Sequence, residues 1–418
     1  MSEWISKPLN QLASFQKGRK VETSEHPRDG FAPYLGASAI SGTVEEYGDS
    51  RFGVMASVGD VLMLWDGERS GLVGKTKTSG VISSTVVRLS SKGEIGGDYL
   101  YYALNLKFDW IQNRRTGTGV PHVPKDLGRI LSIPFPRDLN EQRKIVEILV
   151  TVDEAIEQTE AVVQKWQQMK AGLMHDLFTR GVTPDGNLRP TRQEAPQLYK
   201  NSDLGWIPKE WNAVRLDKSE ISIIDGDRGE NYPQAHELLD SGHCLFLSAT
   251  NVTARGFKFD ELQFISSEKD QLLGTGKLSR GDVVVTTRGT VGNIACYDAD
   301  VPFSDIRINS GMIILRCNRT DLSPEFLYCS LTNYIFGHEF GRVISGSAQP
   351  QLPIKDFKRF HCLILPSPEQ QAILSKANAA SGYLISEEER VFKLRAQKQG
   401  LMQDLLTGRV PVKVGVGA

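Results

Sequence analysis

Cysteine is scarce in this chain and badly placed for cross-linking. There are five in 418 residues, Cys244, Cys296, Cys317, Cys329 and Cys362, odd in number, confined to the second half and without a Cys-x-x-Cys pair. That excludes a disulfide framework and a zinc knuckle and favours a reducing compartment. No apolar run approaches the ~18 residues a membrane span needs, and the opening Met1-Ser2-Glu3-Trp4-Ile5-Ser6-Lys7 lacks an apolar signal core. A cytoplasmic location is the expectation. Net charge is nearly absent, at −1, so any surface that holds nucleic acid has to be local. The seven histidines form no His-x-x-x-His or His-Glu-x-x-His pair. His243-Cys244 and His361-Cys362 are isolated adjacencies, read as packing, and no metal is expected. Gly74-Lys75-Thr76 resembles the end of a phosphate loop, but Arg69 stands where the loop needs its first glycine.

What the chain does have is a stretch that occurs twice. Asn140-Glu141-Gln142-Arg143-Lys144-Ile145 leads to Gly172-Leu173-Met174-His175-Asp176-Leu177-Phe178-Thr179. Pro368-Glu369-Gln370-Gln371-Ala372-Ile373 leads to Gly400-Leu401-Met402-Gln403-Asp404-Leu405-Leu406-Thr407, at one constant offset and with no gap. Gapless repetition over about forty residues predicts a continuous helix, because loops tolerate insertion and helices carry their register. In the first copy Ile145, Leu149, Val152, Ile156, Val163, Trp166, Leu173 and Leu177 step by fours and threes, with Thr159 and Lys170 filling the gaps. In the second, Ile373, Ala377, Ala380, Leu384, Val391, Leu394, Leu401 and Leu405 do the same around Glu387 and Lys398. This is a heptad seam. Gly181 and Gly408 are the expected stops. Ser367, Pro368 and Gln370 read as a capping box opening the second helix.

The segments before each helix repeat a plan rather than a sequence. Gly59-Asp60 followed by Val61 to Trp65 is matched by Gly281-Asp282 followed by Val283 to Val285; Val81 to Leu89 reads as another strand, and Asp98 to Phe108 as a helix capped by Asp98. Thr118-Gly119-Val120-Pro121-His122 is matched by Ser347-Ala348-Gln349-Pro350-Gln351. The expected organisation is a globular domain over 1–138, a helix over 139–181, a polar linker along the surface over 182–205, a second globular domain over 206–366, a second helix over 367–408 and a tail over 409–418. Each helix would be about 60 Å long at about 1.5 Å per residue. The simplest partner for each is the other copy, antiparallel about a pseudo-twofold axis, with Ala377 and Ala380 opposite Trp166 and Leu173. The alternative is that each helix packs on its own globular domain. The fold class is α+β: two β-rich globular domains related by pseudo-twofold symmetry, joined by two long helices forming an antiparallel coiled coil.

The order of globular unit, Glu-Gln-x-x-Ile helix, globular unit and second such helix resembles the specificity subunit of type I restriction–modification systems. Asp404-Leu405-Leu406-Thr407-Gly408, Asp176-Leu177-Phe178-Thr179-Arg180, the Pro-rich helix entries and Gly205-Trp206-Ile207-Pro208-Lys209-Glu210-Trp211 carry the resemblance over essentially the whole chain. It implies two target-recognition domains, each reading half of a bipartite, asymmetric sequence in double-stranded DNA. It implies helices that set the spacer and dock two modification subunits and, where present, two restriction subunits. S-adenosylmethionine would belong to the modification partner, which methylates adenine. This chain, with no Asn-Pro-Pro-Tyr stretch, would have neither catalytic residue nor cofactor.

Readout needs donors and acceptors on loops, and positive charge for phosphates. The candidates in the first domain are Lys17, Arg19, Lys20, Arg69, Lys75, Arg114, Arg115, Thr118 and His122; in the second they are Arg228, Asn251, Arg288, Thr290, Asn293, Ser347, Gln349 and Gln351. A solvated surface role is the competing reading for each. Lys170 and Lys398 are either register-setting polar residues or contacts to a partner or to phosphates. For the whole chain the competing reading is a coiled-coil scaffold holding two protein-binding domains without touching DNA.

Overall fold

The structure is a computed structural model and describes residues 3–40, 42–117, 119–343 and 351–413. It divides into two compact units, residues 1–162 with 387–418, and residues 163–386. Each unit is one β-rich head with the near part of one long helix and the far part of the other.

Each head is built on the same four-stranded antiparallel sheet. In the first the order is Ala13–Lys17, Val86–Ser91, Val61–Leu64, Val73–Lys75; in the second it is Ile221–Asp225, Met312–Cys317, Val283–Thr286, Ile294–Cys296. The central strands are rich in Val, Ile and Leu, which suits strands covered on both faces. A second sheet keeps one parallel pair in each head, Phe31–Leu35 with Gly80–Ile82 and Cys244–Leu247 with Ile306–Ile308. The apolar stretch from Val81 to Leu89 is therefore not one strand. It breaks at Ser83, whose hydroxyl meets Thr85 and whose carbonyl accepts from Val86 N, and its two parts join different sheets. Each head is closed by pairing an early strand with its last: Trp4–Pro8 with Ser132–Pro136, and Asn212–Arg215 with His361–Ile364.

The long helices span Leu139–Thr179 and Ser367–Leu405. Within each unit they run antiparallel. In the first, Lys398 Nζ lies 2.6 Å from Asp153 and Arg395 lies 2.6 Å from Glu160, while Leu405 shares a core with Ile145 and Leu149. In the second, Trp166 meets Tyr383 with ring centroids 4.3 Å apart, and Ile373 and Ala377 share a core with Met174 and Leu177. The indole thus faces a tyrosine, while Ala377 and Ala380 join the cluster that contains Leu173. Both packing readings hold in part, because the helix starts also enter the head cores: Ile145 and Leu149 cluster with Tyr99, Leu100 and Leu104.

The repeated Glu-Gln explains how each helix is fixed to its head. Gln142 accepts from Gly96 N at 2.8 Å and donates to the carbonyls of Glu94 and Pro136 at 3.1 and 2.9 Å. Gln370 accepts from Ser323 N at 3.0 Å and donates to the carbonyls of Asp321 and Leu365 at 2.6 and 2.8 Å. Gln370 therefore latches the helix to the head instead of completing a capping box. Asp98 likewise does not cap. Gly96 holds that position, and Asp98 in the first turn pairs with Lys75 at 2.6 Å.

Residues 182–205 run largely exposed, as a surface linker does, but are pinned at Val182, Arg189, Ala195, Tyr199 and Leu204. Val182 and Leu204 belong to the second core, and Arg189 is buried against Glu369, which also accepts from Val182 N at 2.9 Å and Trp211 Nε1 at 3.0 Å. A buried carboxylate needs such partners, and local polarity cannot reveal them. Gly181 and Gly408 follow the two helices with φ of 68° and 74°. A β-carbon at Gly181 would overlap Trp211, and one at Gly408 would fall 2.9 Å from the Trp4 ring.

Candidate nucleic-acid interface

Both heads present the same backbone corner at the open end of the four-stranded sheet. Lys17 lies across from Val87, which lies across from Met63; Asp225, Ile313 and Val285 form the matching row. The next residues, Gly18 and Gly226, have no room for a side chain, since a β-carbon would strike backbone oxygen of Ile82 and Ser83 or of Asn309. One strand further on, Trp65-Asp66-Gly67 matches Thr287-Arg288-Gly289, with both glycines at positive φ, 116° and 72°. The third element is a proline-bearing loop. Val123 N donates to Trp65 O at 2.9 Å and Leu352 N donates to Thr287 O at 3.0 Å. His122 therefore corresponds to Gln351.

A concavity opens at this corner in each head. The first, about 590 Å³, is lined by Lys17, Trp65, Lys125 and Arg129 among others. The second, about 330 Å³, is lined by Asp225, Arg228, Thr287, Arg288 and Gln351. Lys17 pairs with Asp66 at 2.9 Å. Arg228 pairs with Asp225 at 3.0 Å and donates to Ser310 O at 3.0 Å. Arg288 is exposed and has no ion partner among the described residues.

The structure sorts the remaining candidates. Arg19, Lys20 and Arg69 are exposed. Arg114 lies over the Trp110 ring at 4.0 Å, still exposed. Arg115 is spent on the carbonyls of Gln112 and Glu68. His122 holds Val120 O through Nδ1 at 2.9 Å, which leaves Nε2 for other use. Lys75 is placed away from the corner, between Asp98 and the rings of Tyr101 and Tyr102. Asn251 is a correction. It is 4 % exposed, accepts from Ser248 N and donates to the carbonyls of Lys258 and Glu261, so nothing of its amide is left for DNA. Asn293 similarly donates to Val252 O at 2.8 Å, and Thr290 to Ala249 O at 3.2 Å. Thr118, Ser347 and Gln349 lie outside the described residues. Asp66, Asp225, Lys125 and Arg129 were missed, because a sequence scan for loop cations does not see the carboxylates that face them or a short helix end.

Lys398 is held by Asp153 and stands 5.5 Å from the Tyr102 ring, whose hydroxyl donates to Asp153 at 2.7 Å. It is thus a tie between helices and head. His243, Asp270 and Asp305 bring ligand-type atoms together, but Lys277 bonds both carboxylates, at 2.6 and 2.8 Å, and Arg307 bonds Asp270 at 2.5 Å. Burial resists ionisation of Asp270, and the bonds from Lys277 and Arg307 outweigh it, holding its carboxyl below the ordinary value. The positive charge a metal would supply is already there. No helix among the described residues is long and apolar enough to cross a membrane.

Comparison with known proteins gives a consistent picture. Residues 1–164 match the type I restriction modification DNA specificity domain. The type I restriction enzyme MjaVIII specificity subunit of Methanocaldococcus jannaschii is 26 % identical over 98 % of this chain and 94 % of its own. The EcoBI specificity subunit of Escherichia coli is 20 % identical over 96 % of this chain and 84 % of its own. Among solved structures, the type I restriction–modification S subunit from M. genitalium superposes with a TM-score of 0.57 at 17 % identity, covering 99 % of this chain and 97 % of that one.

Proposed function

We propose that the chain is a specificity subunit of the type I restriction–modification family, and that its two heads each read one half of a bipartite, asymmetric target in double-stranded DNA. Sequence-specific DNA recognition is its function. The observation that carries the two-part reading is the duplication: one sheet order in both heads, one glutamine latch to each helix, and different side chains at the open corner. Shared backbone with divergent surface suits two readers of unlike half-sites better than a scaffold with no nucleic-acid contact.

In this reading the helices set the spacing of the half-sites and dock two modification subunits and, where the system has them, two restriction subunits, in the cytoplasm. Adenine methylation, with its S-adenosylmethionine, belongs to the modification partner, and cleavage to the restriction partner. This chain contributes positioning and specificity. The test is to map methylated adenines in cells carrying the full system, which should return one split motif. Replacing residues 1–138 by another head should then change one half of it. Change in both halves or in neither overturns the two-reader arrangement.

A further inference from the structure

The corner described above combines a fixed frame with exchanged chemistry. The frame is fixed because each head hydrogen-bonds its proline loop to the same strand end, at 2.9 and 3.0 Å, and leaves no side-chain room at Gly18 or Gly226. On that frame the charges are reversed. Where the first head has Lys17 facing Asp66 at 2.9 Å, the second has Asp225 and Arg288 at the same two positions. Between them Trp65 is replaced by Thr287, an apolar plate by a hydroxyl.

A phosphate site would be expected to keep its cations, since both halves of a duplex carry the same backbone charge. Lys17 has become an acid and Asp66 a base. Exchange of donor for acceptor is what a base edge requires, because each base pair presents its own order of donors and acceptors in the major groove. We infer that this corner is the base-discriminating site of each head, with Lys17 and Asp66 selecting in the first half-site and Asp225 and Arg288 in the second. Arg288 is the strongest single determinant. It has no ion partner among the described residues, it stands on a turn fixed by Gly289, and a guanidinium fork matches the two acceptors of guanine. In the same register Lys20 corresponds to Arg228, cation to cation, and is left for the phosphates.

The inference rests on the two-reader function proposed above, and the experiment separates the two. The full chain, assembled with its modification subunits, is assayed by adenine methylation on a library of randomised targets, for the wild type, Arg288→Ala, Arg288→Lys and Lys17→Gln/Asp66→Asn. Arg288→Ala should relax one position of one half-site, with discrimination falling by roughly 5- to 150-fold, while the other half-site stays as it was. Arg288→Lys should relax the same position, because charge survives but the fork does not. The Lys17/Asp66 double variant should act only on the opposite half. Lys17 and Arg288 are exposed and Asp66 is half-buried, and size-exclusion chromatography of each complex checks that assembly is intact. A uniform loss of methylation on all targets, or full rescue by Arg288→Lys, marks a phosphate contact and overturns the inference. An assembled Arg288→Ala complex with an unchanged motif also overturns it. A wild-type complex that returns no split motif removes the two-reader function itself.

Discussion

At the scale of single residues, long-range polar contacts decide more than local ones. Gln142 and Gln370 each satisfy three backbone groups of a head. Truncating either leaves buried donors and acceptors without partners, at about 1–3 kcal/mol for each group left unpaired. Gln142→Ala and Gln370→Ala should each lower the urea midpoint, and the two losses should add, because the sites lie in separate units. Asp270 gives a pH signature. Its folded carboxyl is depressed, burial being outweighed by Lys277 and Arg307. A depressed carboxylate contributes fully above its unfolded pKa of about 4 and loses that contribution as pH falls through the folded value. Urea midpoints measured from pH 6 downward should therefore fall on acidification below about pH 4 in the wild type, and fall less in Asp270→Asn, which starts lower.

The elements show why one part of the chain was easy to read and another was not. The seam repeats a local rule, and each seam position from Ile145 to Leu177 and from Ile373 to Leu405 is at least partly shielded. Even Thr159, the polar member, is 5 % exposed and returns its hydroxyl to Ala155 O at 2.7 Å. Leucines and valines at heptad spacing report their environment without help from the rest of the chain. Gln370 does not, because a Ser-x-x-Gln pattern looks the same whether the amide caps its own helix or reaches Ser323. The anchors of residues 182–205 are hidden for the same reason, since Arg189 is made burial-competent by Glu369, far away in sequence. At the proposed recognition corner the loop residues Lys17, Arg228, Arg288, His122 and Gln351 were legible, but neither the glycines that shape it nor which side chain faces which. Lysine at Ile156 or at Leu384 would put a charge into the helix pairing of the first or second unit. Each substitution should abolish assembly with modification subunits and remove both half-site preferences together, as read by methylation mapping. Loss of one preference alone would mean that the helices do not act as a common frame.

For the whole molecule, the repeated abutment of glycine against tryptophan has a topological consequence. Gly181 closes on Trp211 and Gly408 on Trp4 in the same manner, yet the first pair is joined by continuous chain and the second is not. Within its own unit the Gly408–Trp4 contact is thus made without the covalent continuity that joins Gly181 to Trp211. A circular permutant that joins the present ends through a short glycine–serine link and opens at the exposed turn Asp185-Gly186 would keep each of these contacts. It should match the parent in far-ultraviolet circular dichroism, melt within a few degrees of it, and methylate the same motif with its modification partners. A permutant that fails to fold would show that chain order, and not only the pairing of surfaces, is needed to build the two units.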